Sequence, residues 1–403
     1  MTNLHGLRVM AVHAHPDDEA LWTGGMLAHL SRRGADVHVV TCTLGEHGEV
    51  IGDPLQGFVA EAADMLGGFR YRELEDSLRL LGVKGPHHRP CLLGGAGRWR
   101  DSGMVGTPAA DHPRAFIRSG AAAVDALASL MTHYRPDIVV TYGPDGGYGH
   151  PDHIRAHEVT HAAIEHLSPM PFSGVLNGGS DLFAAVLARR QQEGRLIGEH
   201  GYHMPVVLWS VRGETALKQG IDALSHIPDG WVAPQRMEWT FLHETTADPT
   251  CGTSSGEMEP DLAFVPDDVV NLVVRLTDAD IKAQVDAMAA HATQLWIADG
   301  RQSWTNPQSA WATSDPTMAP KVFALSNRIA QPLLREEHYV VAYGGHGSCC
   351  TVSAARESYD STVIRARGRH HFGRDRLSEK PGHVAGLRSR RWNTEESHGK
   401  ALG

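Results

Sequence analysis

Through the first half of the chain, short apolar runs alternate with longer amphipathic stretches. The runs at residues 8–13, 36–43 and 137–142 are nearly continuous in Val, Ile, Met and Ala, as strands buried on both faces are. Between them, residues 19–33, 58–66, 115–133 and 153–166 carry apolar positions at helical spacing. Such alternation predicts parallel strands joined by right-handed helical crossovers. The expected fold is therefore α/β: a Rossmann-like, mostly parallel sheet flanked by helices, with a smaller C-terminal α/β part. The Gly-x-Gly-x-x-Gly fingerprint is missing after the first strand, so no dinucleotide cofactor is indicated.

The pattern degrades over residues 168–204, where Pro169, Pro171, Gly174 and the Gly178-Gly179 pair suggest an inserted loop with a helix at 181–193. Strand patterns return at 205–211, 263–265 and 269–276, a helix pattern at 277–294, and a last strand at 337–342. Residues 245–260 and 300–317 read as polar loops. The domain plan is a catalytic unit over 1–345, made of a 1–167 core, the 168–204 insertion and a 205–345 part, followed by a tail over 346–403. The tail is basic: residues 351–403 hold 11 Lys/Arg against 6 Asp/Glu, which leaves −15 of the chain's net −10 on the rest. Its apolar residues have no period, so it reads as a disordered extension.

Composition narrows the function classes. At 41% hydrophobic, 403 residues can build a sizeable core. The negative net charge gives no support to nucleic-acid binding, and no run approaches a membrane span. Five cysteines at irregular spacing do not make a disulfide framework. With no signal peptide at Met1-Thr2-Asn3-Leu4-His5, the expected location is the cytoplasm. A homo-oligomer is compatible with these features.

Candidate chemistry sits on two turns. His13-Ala14-His15-Pro16-Asp17-Asp18-Glu19 follows the first strand and opens a helix, and Gly146-Gly147-Tyr148-Gly149-His150-Pro151-Asp152-His153 does the same after the 137–142 strand. Open α/β sheets bind ligands at such strand ends. If the two strands are neighbours, His15, Asp18 and His153 can share one metal ion and leave positions for water and substrate, as catalytic sites do. Asp17, beside a ligand, can face the water that the metal activates. The bland alternative is an Asp capping the helix and histidines in ordinary hydrogen bonds.

The pair Ala14-His15-Pro16-Asp17-Asp18-Glu19 and Gly149-His150-Pro151-Asp152-His153 resembles the metal-dependent GlcNAc-phosphatidylinositol de-N-acetylase (LmbE-like) superfamily. Three further stretches resemble its branch that deacetylates N-acetyl-glucosaminyl-inositol in mycothiol biosynthesis. They are Thr41-Cys42-Thr43-Leu44-Gly45-Glu46-His47-Gly48-Glu49-Val50-Ile51-Gly52-Asp53, Gly94-Gly95-Ala96-Gly97-Arg98-Trp99-Arg100-Asp101-Ser102-Gly103-Met104, and Ala290-His291-Ala292-Thr293-Gln294. The resemblance implies hydrolysis of a small-molecule N-acetyl sugar at one zinc ion, with Fe(II) also compatible with two His and one Asp. It makes Asp17 the general base and His150 the second proton-transfer group, which protonates the departing amine or stabilises the developing oxyanion. Asp152 would orient an imidazole, that of His150 being the first choice. Tyr148, on a glycine-flanked loop able to move, would donate to the oxyanion. Arg70, Asp101 and Glu49 match substrate-binding positions, with Arg70 and Asp101 expected at the polar end away from the scissile amide; Met104 would add an apolar contact. The rivals are the mycothiol S-conjugate amidase of the same superfamily, a non-haem Fe(II) oxygenase, and a catalytically silent sugar-binding protein.

Overall fold

The computed structural model describes residues 2–83, 89–167, 181–197, 204–234, 264–303, 305 and 309–343. The 245–260 loop, the 346–403 tail and parts of the 168–204 insertion lie outside the described residues. In chain order, β1 (Arg8–His13) leads into two short helices, α1 (Asp18–Trp22) and α2 (Gly24–Arg32), and then β2 (Asp36–Thr41). There follow α3 (Leu66–Leu80), β3 (Cys91–Leu92), α4 (Gly120–Tyr134), β4 (Ile138–Tyr142) and α5 (Pro151–Leu167). The second half begins with α6 (Leu182–Ile197), β5 (Val206–Val211), α7 (Glu214–Asp222) and β6 (Leu224–His226). It continues with β7 (Leu272–Arg275), α8 (Asp278–Ala290), β8 (Trp296–Ile297) and β9 (Thr313–Ser314). It closes with β10 (Lys321–Ala324), β11 (Gln331–Leu333) and β12 (Glu336–Tyr343).

Seven strands form one sheet in the order β3-β2-β1-β4-β5-β12-β7. The first five run parallel, and β12 lies antiparallel between β5 and β7. The chain leaves β1 toward β2 and later returns to lay β4 on the other side of β1, with Val9 beside Ile138 and Ala11 beside Val140. That reversal opens a crevice beyond the C-terminal ends of β1 and β4, the place where doubly wound sheets bind ligands. The 1–167 and 205–345 segments share this sheet. Two small sheets, β11-β10-β8 and β6-β9, lie beside it in the second segment.

Both faces of the sheet are covered, which is why its strands read as unbroken apolar runs. Val9 and Ala11 of β1 pack on one face with Leu27 and Leu30 of α2, Leu74 and Leu78 of α3, and Ile281 and Val285 of α8. Met10 and Val12 pack on the other with Leu127 and Met131 of α4 and Val159 and Ile164 of α5. No described helix is long and apolar enough to cross a membrane.

Three expected helices have different bounds. Of the 58–66 helix only a short 3-10 turn at Gln56–Phe58 forms, and the helix is α3. Its outer face pairs Arg72 with Glu75 and Asp76, and Arg79 with Asp76, so charge dilutes the apolar signal of Leu66, Leu74 and Leu78. The 19–33 helix breaks at Thr23, whose backbone turns to φ −141° while its hydroxyl donates to the Glu19 carbonyl and meets the His13 ring. The 115–133 helix begins only at Gly120, after a 3-10 turn at Phe116–Arg118. The polar 300–317 stretch contains β9.

One carboxylate ties the last strand to the second helix. Glu337 of β12 accepts the Gly25 and Met26 N–H groups in the first turn of α2, at 2.8 Å each, along with the Tyr339 hydroxyl at 2.7 Å and Gln284 Nε2 at 3.2 Å. A helix N-terminus favours such an anion, because its first N–H groups have no partner within the helix. Glu337→Ala should therefore cost about 2–3 kcal/mol in a denaturant titration, through an uncapped helix and a phenol left without its acceptor. A loss below about 0.5 kcal/mol would mean that water replaces the carboxylate.

Candidate active site

The two turns meet as expected, because β1 and β4 are neighbours. Asp18 opens α1 and lies between two imidazoles: His15 Nδ1 is 3.4 Å from its Oδ2, and His153 Nε2 is 3.4 Å from its Oδ1. Asp18 does not cap its helix. Its Oδ2 accepts the His15 N–H at 2.8 Å and the Tyr142 hydroxyl at 2.7 Å. Tyr142, at the end of β4, also accepts the Ala14 N–H at 2.8 Å, and its ring stacks on His153 at 4.1 Å. One buried phenol thus fixes the β1 turn, the Asp18 carboxylate and the His153 ring. Burial opposes the Asp18 charge, but His153 and His15 outweigh it and hold the carboxyl well below its ordinary range.

The outward nitrogens of both imidazoles are engaged. His153 Nδ1 donates to the Gly146 carbonyl at 3.0 Å, which leaves Nε2 as a buried lone pair with no hydrogen bond. His15 Nε2 meets Asp152 Oδ2 at 3.2 Å and lies 3.6 Å from Asp101 Oδ1, which leaves Nδ1 to face Asp18. Burial works against a charged His15 ring, but Asp101, Asp152 and Asp18 raise its pKa well above the usual value. The Asp152 carboxylate therefore orients His15, and not His150, while also accepting the Ser102 N–H at 2.9 Å. His150 accepts the Asp152 backbone N–H on Nδ1 at 3.1 Å. Burial and the neighbouring His15 and His153 rings press its pKa far down, so its neutral form carries the proton on Nε2.

Asp17 stands at the cap position of α1, yet its side chain makes no capping hydrogen bond. Its backbone holds φ 108° and ψ −29°, strain of about 1–3 kcal/mol for a residue with a side chain. Burial pushes its pKa up to about 6, against the pull of Arg70, whose Nη2 lies 3.2 Å from Asp17 Oδ2. The Arg70 guanidinium also donates to the Gly45 carbonyl at 2.6 Å and to the Pro16 carbonyl. Arg70 is 3% exposed and Asp101 4%, and Asp101 also accepts the His47 and Gly103 N–H groups at 3.2 and 2.8 Å. Both are buried beside Asp17 and His15 and not at an exposed, remote edge as expected: Arg70 is committed through Nη1 and Nη2, and its Nε is buried without a hydrogen bond. Glu49 and Met104 are exposed.

Tyr148 lies parallel to Trp22 at 6.3 Å and edge-on to His153 and His150 at 5.0 and 6.0 Å. Its loop is pinned. A Cβ at Gly146 (φ 69°) would come within 2.8 Å of the His153 Cβ, and one at Gly147 (φ 83°) within 2.6 Å of the Trp22 ring. Sequence reading gave no task to Trp22, Tyr142, Ser102 or Glu46, whose carboxylate accepts the Asp101 N–H at 3.0 Å. Tyr142 carried a signal, as the one hydroxyl-bearing aromatic at a strand end beside the turn.

Residues 10–164 match the family described as PIG-L: GlcNAc-PI de-N-acetylase. The 1D-myo-inositol 2-acetamido-2-deoxy-alpha-D-glucopyranoside deacetylase of Corynebacterium kroppenstedtii is 68% identical over 379 residues, 93% of this chain and 97% of that protein. The proteins of the same name from Corynebacterium efficiens and Corynebacterium diphtheriae are 49% and 46% identical, each over 85% of this chain and over 90% and 96% of their own lengths. The chain belongs to the PIG-L de-N-acetylase family.

This family is metal-dependent, and the de-N-acetylase site fits a metal. Ligand atoms bound tetrahedrally at about 2.0–2.1 Å stand about 3.4 Å apart. The Asp18 carboxylate stands at that separation from each imidazole, through Oδ2 to His15 and through Oδ1 to His153. The bare His153 Nε2 supplies one lone pair; His15, held through Nε2 by Asp152, turns Nδ1 toward Asp18 and would supply a second once an ion displaces the proton there. His150 also brings a ring nitrogen within 4.8 Å of those of His15 and His153. Replacing His15, Asp18 or His153 by Ala should remove bound metal together with activity, as elemental analysis would show. Full occupancy in any one variant would strike that residue from the ligand set.

Proposed function

We propose that the chain is a metal-dependent amide hydrolase that releases acetate from 1D-myo-inositol 2-acetamido-2-deoxy-α-D-glucopyranoside, a step toward mycothiol, with zinc as the metal. The observation that carries the chemistry is the Asp18 carboxylate 3.4 Å from each of two imidazoles, with Asp17 beside it. The substrate follows from the name shared by relatives that match nearly the whole chain. When bound by His15, Asp18 and His153, the ion would polarise the acetyl carbonyl and acidify water.

The protein's own groups divide the proton work. Asp17 accepts the proton of the attacking water. Its carboxylate makes no capping bond, and Arg70 holds it by an ion pair. His150 is neutral with its proton on Nε2, so it serves as a hydrogen-bond donor to the carbonyl oxygen as that oxygen becomes negative. Of the two tasks expected of His150, this reading keeps stabilisation of the oxyanion and drops protonation of the amine, because a neutral imidazole of low pKa is a poor acid. The leaving amine then takes its proton from the Asp17 carboxyl, which returns to carboxylate. Tyr148, stacked on Trp22 and edge-on to His150, is a second donor to that oxygen. Glu49 and Met104, exposed on the neighbouring loops, are the proposed substrate contacts, and Asp101 supports His15 from behind.

Acetate release from N-acetyl-glucosaminyl-inositol, measured beside cleavage of a mycothiol S-conjugate, tests the assignment. The first should exceed the second in kcat/KM, and the reverse order would make the chain an amidase. Asp17→Asn should keep its metal and lose turnover by roughly 10²-fold or more, the usual scale for a general base. Near-normal turnover with metal bound would place the base elsewhere. Arg70→Ala, because it frees Asp17 and does not read the inositol, should lower kcat on N-acetyl-glucosaminyl-inositol and on N-acetylglucosamine by similar factors. A loss confined to the inositol substrate would return Arg70 to the substrate's far end.

A further inference from the structure

The proposed function leaves the Ala290-His291-Ala292-Thr293-Gln294 motif without a task. His291 follows α8 and lies 272 residues after Glu19 in sequence, yet its Nε2 is 2.6 Å from Glu19 Oε1. Ser77 of α3 donates to the same oxygen. The other oxygen of Glu19, Oε2, accepts the backbone N–H of Asp17 at 3.0 Å. Glu19, Ser77 and His291 are each 0% exposed. His291 Nδ1 is buried with no hydrogen-bond partner, so among the described residues the ring's hydrogen bonding is directed to Glu19 alone.

Asp17 needs such a hold. Its φ of 108° is a conformation that residues with side chains keep only where the surroundings impose it. Left alone, the peptide would relax and swing the carboxylate off its line. A carboxylate accepting the Asp17 N–H resists that relaxation only if it is itself immobile. Donors from two other elements, α3 and the end of α8, immobilise it. We propose that Glu19 and His291 form a clamp that fixes the Asp17 backbone, which makes both of them positioning residues for the hydrolysis. The inference rests on Asp17 being the base. It explains why a motif after α8 accompanies the turn after β1.

A double-mutant cycle tests the clamp in the metal-loaded full chain. Glu19→Ala should lower kcat by roughly 10–100-fold, the scale of a misplaced reacting group. KM should stay within about threefold, and metal should remain at the parental level. Glu19→Gln keeps an acceptor for the Asp17 N–H and should recover most of the lost kcat. In an Asp17→Asn background, Glu19→Ala should cost little more, because a residue acting through Asp17 has nothing left to position. Hydrogen exchange of the Asp17 amide, slow in the metal-free parent, should quicken in metal-free Glu19→Ala. If burial of the site without its carboxylate prevents folding, His291→Ala removes only the anchor and enters the same cycle with a smaller loss. An unchanged kcat in Glu19→Ala, or losses that simply add in the double variant, would overturn the clamp. A near-normal Asp17→Asn would instead overturn the base reading, and the two failures are thereby told apart.

Discussion

Carboxylates buried at the end of β1 and the need to neutralise them govern this structure. Asp17, Asp18, Glu19, Asp101 and Asp152 are each no more than 9% exposed and crowd one crevice. A buried charge without a partner costs several kcal/mol, so each of them must find donors or cations. Among the described residues, the fixed positive charge that touches this cluster is Arg70, and it is committed to Asp17 and two carbonyls. The rest is met by imidazoles and backbone N–H groups. Such an excess of acid over fixed cation is what a site built around a divalent ion requires, and it explains why the ligands can be packed in advance at ligand-to-ligand distances.

The topology supplies those partners from distant parts of the chain. β1 and β4 deliver the two turns. The loops after β2 and β3 bring Gly45, Glu46, His47, Asp101 and Ser102 from one side, and α5 carries Asp152 and His153 from the other. α8 lies against α2 and α3, and His291, which follows it, brings the C-terminal half to Glu19 beside Asp17. Glu337 joins β12 to α2 at the opposite edge of the same helix pair. A mostly parallel sheet with the candidate ligands on two strand-to-helix turns also opposes the oxygenase reading, which expects an antiparallel barrel.

What the sequence revealed and what it hid follow from the range of the interactions involved. The turns after β1 and β4 were legible because strand, ligand residues and helix are contiguous, and contiguity fixes their geometry. The parallel order was legible because doubly covered strands read as unbroken apolar runs. α3 was misplaced because the paired charges of Arg72, Glu75, Asp76 and Arg79 dilute its apolar pattern. β3 was missed because two residues give no period. Arg70 and Asp101 were expected at the substrate's far end because they match substrate-binding positions, and only the packing of α3 and the 94–104 loop shows that these two are buried. The partner of Asp152 was misassigned for a similar reason: sequence adjacency favoured His150, whereas the fold brings His15 to within 3.2 Å.

Asp17 shows why local rules fail at this site in particular. By propensity, an aspartate before a helix should cap it, with an extended backbone and its oxygen on the helix N–H groups. Here the cap bond is absent and the backbone sits at φ 108°. A capping aspartate would be saturated by hydrogen bonds that favour its charged form, and so would be a weak base. Keeping the carboxylate off the helix leaves it held chiefly by Arg70 and by burial, with a pKa pushed up to about 6. The strain of the uncapped turn is then balanced by Glu19, which accepts the N–H that this backbone presents. In the proposed mechanism, a helix start that breaks the capping rule is the local condition for a base beside a metal ligand. The buried Glu19, Ser77 and His291 contacts are the long-range condition that keeps it broken.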